Sequence, residues 1–87
     1  MTKYECLEVI RTSGVVAVIR ANGPDELLQI TTALNKGGVV ALEITMTSPG
    51  ALDTIREAVN QLGDQAIIGV GSVLDAETAR MAILAGA

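Results

Sequence analysis

The stretch Gly37-Gly38-Val39-Val40-Ala41-Leu42-Glu43-Ile44-Thr45-Met46-Thr47-Ser48-Pro49 decides how this chain folds. Its two glycines stop a helix, Val39 to Ile44 run as a strand, and Ser48-Pro49 opens the next helix. Ser48 is expected to cap the free N–H groups of that helix, with Pro49 in its first turn, where no donor is needed. On a period of two, Val39, Ala41, Glu43 and Thr45 share one face, and Val40, Leu42 and Ile44 share the other. Both faces are otherwise apolar, as in a parallel strand covered on both sides. Glu43 is the one charge in the strand. A carboxylate there is costly without a partner or a task. It is either half of a structural ion pair, with Arg56 as the partner to test, or a functional group.

The same unit of apolar strand, short polar loop, helix and glycine stop is written three times. Upstream, Val15 to Ile19 form a strand that ends at Arg20, and Ala21-Asn22-Gly23-Pro24 turn into a helix from Pro24 to Lys36. Asp25 and Glu26 occupy its first turn, where the helix dipole favours acids, and Leu27, Ile30, Thr31 and Leu34 form its buried stripe. Downstream, a helix runs from about Pro49 to Leu62 with Leu52, Ile55, Val59 and Leu62 inward, and Gly63 stops it. Ala66 to Val70 form a third strand, and Asp75 caps a last helix that reaches Ala85. A short helix from Thr2 to about Thr12 precedes everything, with Tyr4, Leu7 and Ile10 on one side and Glu5, Glu8 and Arg11 outward.

Strands alternating with helices at this spacing predict a parallel sheet with right-handed crossovers, hence an α/β fold. A doubly wound sheet and a (β/α)8 barrel both fit, and both gather ligands at the carboxyl ends of their strands. Those ends carry Arg20, the run from Glu43 to Thr47, and Gly71-Ser72. A cation, a carboxylate, hydroxyls and flexible backbone thus meet on one rim, which favours function for Glu43 and makes Arg20 a candidate clamp for an anionic group.

Composition narrows the classes. The 87 residues are 49% hydrophobic and 18% charged, with a net charge of −4 and Tyr4 as the sole aromatic. That is the composition of aliphatic strands between helices. It lacks the basic patches and stacking rings of a nucleic-acid binder, and no apolar run is long enough for a membrane span. A lone cysteine, Cys6, staples nothing and fits a reducing, cytoplasmic setting. Without histidine there is no Ser-His-Asp or Cys-His set and no zinc site of the usual ligands. Gly69-Val70-Gly71 imitates a dinucleotide fingerprint, but Leu74 stands where the third glycine belongs and the motif follows the third strand. The glycines more simply allow close approach of backbone or ligand at the rim.

Val16-Ala17-Val18-Ile19-Arg20-Ala21, Lys36-Gly37-Gly38-Val39, Leu42-Glu43-Ile44-Thr45, Ser48-Pro49 and Ile67-Ile68-Gly69-Val70-Gly71-Ser72-Val73 together resemble the 2-keto-3-deoxy-6-phosphogluconate (KDPG) and 4-hydroxy-2-oxoglutarate (KHG) aldolases. The resemblance implies the first three βα units of a (β/α)8 (TIM) barrel, preceded by a short N-terminal helix, with residues 1–87 forming a partial barrel domain incomplete at its C-terminus. It implies a class I aldolase needing no metal or other cofactor, usually a homotrimer. Glu43 matches the family's general acid/base, and Arg20 an arginine near the substrate's anionic end. Ser72 stands where the family usually has threonine, placed to bind the pyruvyl carboxylate. Some members carry an arginine where this chain has Thr47, so carboxylate binding is expected to lean on Arg20 and Ser72, with Thr45 and Thr47 beside them. The Schiff-base lysine of the family lies on its sixth strand, and Lys3 and Lys36 match no such position. The chain alone is therefore expected to be inactive. The alternatives are a non-catalytic half-barrel that self-associates and a small nucleotide-binding module. A barrel arc further predicts adjacent parallel strands in the order 1-2-3, with helices on one side only.

Overall fold

The computed structural model describes all 87 residues, in the order α1 (Lys3–Ser13), β1 (Val16–Ile19), α2 (Pro24–Lys36), β2 (Ala41–Thr45), α3 (Ala51–Leu62), a single 3₁₀ turn (Gly63–Gln65), β3 (Ile67–Gly71) and α4 (Ala76–Ala85). The sheet order is β1-β2-β3 and both pairings are parallel. Ala17 lies opposite Leu42 and Ile19 opposite Ile44, while Leu42 faces Ile68 and Ile44 faces Val70 across β3. These residues form one side of the sheet. The core lies there, built from Ile19, Leu42, Ile44 and Ile68 against Leu27 of α2 and Ala51, Ile55, Ala58 and Leu62 of α3. Helices α2, α3 and α4 pack side by side on this layer. The adjacent parallel strands and the one-sided helix layer are those of a barrel arc.

The opposite face carries Val16, Val18, Ala41, Glu43, Thr45, Ile67, Gly69 and Gly71, by alternation and register. No helix layer spans it, although Ala41 and Thr45 at the two ends of β2 are buried. Val16 is 46% exposed and Val18 51% exposed, so the expectation of strands covered on both sides gives way to strands covered on one. Helix α1 contributes little to the core. None of its residues is buried, and Tyr4 is 80% exposed, which corrects its assignment to an inward stripe. Val9 and Met1 instead line a small cavity with Val40, Ala66 and Ile67, at the amino ends of β2 and β3. Val39 precedes β2 and packs against the helix-side core, so it does not share a face with Glu43.

The largest local correction concerns Ser48. Helix α3 begins at Ala51, not Pro49, and its N-cap is Gly50, with no side-chain cap. The Ser48 hydroxyl instead accepts the Ala21 N–H at 3.1 Å, joining the loop after β2 to the loop after β1. Ser48 is 5% exposed, so this bond is sheltered from water. The same two loops touch again at Gly50, whose φ of +74° is left-handed. A Cβ there would overlap Cγ of Pro24 at the start of α2. At the other end of the sheet, the Asn35 amide donates to the carbonyls of Val39 and Gln65, fastening the end of α2 to the segments that lead into β2 and β3.

Two outcomes follow for stability. Gly50→Ala combines a left-handed alanine with overlap on Pro24 and should cost about 2–4 kcal/mol. Gly37→Ala, at φ −77° with ordinary contacts, should be near neutral. Thermal melts of the two variants check this, and equal midpoints would contradict the loop contact. The second outcome concerns Asp75, whose carboxylate accepts the Thr78 N–H at 2.6 Å and caps α4. Hydrogen bonds from Thr78 hold its carboxyl below the ordinary 3.8. A depressed pKa stabilises the fold above the unfolded value and loses that contribution as pH falls through the folded one. The protection factor of the Thr78 amide should therefore hold down to the ordinary carboxylate value of 3.8 and fall only below it. Asp75→Asn should keep the cap and abolish this pH response.

Candidate active site

The three strands end together. Ile19 closes β1 opposite Ile44, and Thr45 closes β2 opposite Gly71, the last residue of β3. Arg20 and Ser72 follow directly, so the polar residues expected at the rim lie at one end of the sheet. The two lysines do not join them. Lys3 starts α1, and Lys36 lies in the last turn of α2, which runs back to the amino ends of the strands.

Glu43 sits between Val18 and Gly69 in the parallel register, on the face away from the helices. It is half-buried. The chain's two ion pairs are Arg11–Glu8 and Arg56–Asp53, so Arg56 is occupied on its own helix at 3.1 Å and the ion-pair alternative for Glu43 fails. Its carboxylate lies over Gly71: a Cβ built there would stand 2.5 Å from Oε2 and 2.6 Å from Cδ. Gly71, the second glycine of the pair that imitates a dinucleotide fingerprint, thus makes room for a carboxylate. The space over Gly71 is already filled, so no phosphate can approach its backbone as a nucleotide site would require.

Thr45 is 1% exposed and its hydroxyl is hydrogen-bonded to that of Thr47 at 2.8 Å, which leaves Thr47 as the exposed member of the pair. Thr47 and Ser72 line an open groove of about 260 Å³ with Met46, Leu74, Asp75 and Thr78. The Met46 N–H donates to the Gly71 carbonyl at 2.9 Å, so the β2–β3 ladder continues into the loops that carry both hydroxyls. Ser72 has φ +58°, the one positive φ in the chain outside glycine. A serine held there costs about 1 kcal/mol or more, and such strain gathers at functional sites. Arg20 is exposed and makes no ion pair; its position is set through Ala21, whose N–H is held by Ser48.

Glu43, Arg20, Ser72, Thr45 and Thr47 are the candidates that the sequence offers. The structure gathers Thr45, Thr47 and Ser72 along one edge of the rim, with Glu43 over the residue before Ser72. Arg20 stands across β2 from Ser72, beyond β1. Gly71 is expected at the rim as a place of close approach, and the group that approaches is the Glu43 side chain, diagonal to it on the same face by register and alternation. The Ser48–Ala21 bond spans 27 residues and had no local signal.

The family model described as KDPG and KHG aldolase matches residues 6–87. The 2-dehydro-3-deoxy-6-phosphogalactonate aldolase of Escherichia coli (strain K12) is 38% identical over 63 residues, covering 72% of this chain and 31% of that protein. The KHG/KDPG aldolase of the same strain is 33% identical over 85 residues, 98% of this chain and 39% of that protein. A solved structure titled as native KDPGal superposes with a TM-score of 0.72 at 32% identity, covering 82% of this chain and 34% of that one. The chain thus spans between about a third and two-fifths of the length of these curated relatives. With its barrel-arc fold and a rim glutamate in this setting, the chain belongs to the KDPG and KHG aldolase family.

Proposed function

We propose that residues 1–87 are the acid/base-bearing, amino-terminal portion of a class I aldolase acting on 4-hydroxylated 2-keto acids. The reactions are cleavage of 2-keto-3-deoxy-6-phosphogluconate to pyruvate and glyceraldehyde 3-phosphate, and of 4-hydroxy-2-oxoglutarate to pyruvate and glyoxylate. The observation that carries this reading is Glu43: an unpaired carboxylate on the uncovered face, near the carboxyl ends of the strands. The family membership and the match to two aldolases support it.

In such a reaction a lysine amine adds to the C2 ketone, and loss of water leaves an iminium. Removing the C4 hydroxyl proton breaks the C3–C4 bond, the electron pair passes to the iminium, and the aldehyde leaves. The resulting enamine takes a proton at C3 and hydrolysis frees pyruvate. Each stage moves a proton, and Glu43 is suited to carry it: a carboxylate on a rigid central strand with no competing ion-pair partner. Ser72 and Thr47 offer hydroxyls to the pyruvyl carboxylate, with Thr45 holding Thr47 in place. Arg20 offers a cation to the substrate's anionic end. The reading also brings a small-molecule 2-keto acid as partner, a homotrimer of complete barrels, and a cytoplasmic setting, which the lone thiol of Cys6 supports.

Three outcomes test it. Neither Lys3 nor Lys36 is near the rim, so the 87-residue chain should give no pyruvate-dependent adduct on borohydride reduction and should not cleave KDPG. A pyruvate-dependent mass increase on either lysine that accompanies turnover would overthrow the assignment. In a chimera where residues 1–87 replace the matching stretch of the E. coli KHG/KDPG aldolase, trapping should label a lysine of the relative's portion. There Glu43→Gln should slow turnover by roughly a hundred- to ten-thousandfold; unchanged turnover would remove Glu43 from the mechanism. Ser72→Gly in the same chimera should relieve the positive φ, stabilising by up to about 1 kcal/mol. It should raise KM roughly tenfold through loss of one hydrogen bond to a charged group. A KM equal to that of the parent would show that Ser72 holds no substrate.

A further inference from the structure

We infer that Gly71 is a positioning residue: the absence of a side chain at this one place on β3 sets where the Glu43 carboxylate sits. Parallel register puts Glu43 directly beside Gly69, not Gly71. The side chain nevertheless leans along the strand direction, towards the carboxyl ends, and comes to rest over Gly71. A Cβ added at Gly71 would lie 2.5 Å from Oε2, 2.6 Å from Cδ and 3.1 Å from Cγ, so the whole carboxyl group occupies the volume a side chain would need. At Gly69, on the same strand and the same face, an added Cβ meets nothing nearer than the Leu42 carbonyl oxygen at 3.9 Å. Two glycines alike in sequence thus have different tasks. Gly69 is spare room, and Gly71 is filled by the carboxylate.

The atoms that would collide are at the end of a flexible side chain, so β3 can accept an alanine at position 71 by pushing Glu43 aside. The backbone on either side stays tied, since the Gly71 carbonyl accepts the Met46 N–H at 2.9 Å. The change would therefore displace the acid/base without unfolding the sheet. Ser72 follows immediately in its left-handed conformation, so the carboxylate rests beside the residue proposed to hold the substrate carboxylate. Displacing it would separate proton transfer from substrate binding. This consequence for catalysis rests on the aldolase reading; the placement of the carboxylate does not.

The test has two arms that separate these. In the 87-residue chain, the Gly71 amide resonance should shift with pH along the same curve as the Glu43 carboxyl carbon, and the shift should vanish in Glu43→Gln. A Gly71 amide indifferent to Glu43 ionisation would overturn the placement. In the chimera with the E. coli KHG/KDPG aldolase, Gly71→Ala should lower kcat by roughly a hundredfold, the cost of an ångström-scale misplacement, with KM little changed. Gly69→Ala, which makes the same change on the same strand, should leave kcat near the parent value. Because Gly71 acts through Glu43, Gly71→Ala should add almost nothing to the loss already caused by Glu43→Gln. Equal activity of the two alanine variants, or fully additive losses in the double variant, would overturn the proposal. If the parent chimera is inactive while the amide follows Glu43, the aldolase reading fails and the positioning by Gly71 stands.

Discussion

β2 is the strand hydrogen-bonded along both edges, and the rest of the molecule is arranged by that fact. A strand held on both sides can neither slip nor rotate, because a one-residue slip would turn Leu42 and Ile44 out of the core and Glu43 into it. Leu42 and Ile44 are 1% and 0% exposed and face the helices, so the apolar contacts made by Leu27, Ile55 and Ala58 lock the alternation. Glu43 is thereby forced onto the other face. The free energy that aims the carboxylate comes from hydrophobic burial one residue to either side of it.

From that anchor the rim is assembled by bonds between loops. Ser48 ties the loop after β2 to the loop after β1, Gly50 seats against Pro24, and Met46 extends the β2–β3 ladder past the last strand residue. These links join Arg20, Thr47 and Ser72 to the central strand, so groups far apart in sequence hold a common frame. The strain is local: the left-handed conformation falls on Ser72, at the mouth of the groove and not in the core. Stability is concentrated on the helix side, and the chemistry proposed for the chain lies on the other.

Much of this was legible in the residues. The repeated strand, loop and helix pattern gives the parallel sheet, because apolar periodicity and glycine stops are local signals; the order 1-2-3 and the one-sided helices come only with the barrel that the family resemblance implies. Glu43 stood out because a lone charge in an aliphatic strand has few explanations. What escaped was tertiary. Ser48 read as a helix cap, since a serine before proline satisfies the local rule, yet its hydroxyl is spent on Ala21, distant in sequence. Tyr4 and Leu7 have helical spacing, but spacing gives a stripe without saying whether a layer exists to cover it. Strand faces raised the same difficulty: Val16 and Val18 are apolar on both counts, and only the sheet's geometry shows one face uncovered. The different tasks of Gly69 and Gly71 depend on the lean of one glutamate side chain, which no pattern of residue types encodes.

The most direct measurement is a crystal structure of the chimeric aldolase after pyruvate has been fixed to its lysine with borohydride. The account predicts a Glu43 carboxylate oxygen within hydrogen-bond reach of the adduct, roughly 2.6–3.2 Å or through one water, with the carboxyl group resting over Gly71 and the Ser72 hydroxyl on the adduct's carboxylate. A Glu43 turned into the helix layer beside Arg56, or an adduct seated beyond reach of β2, would contradict it.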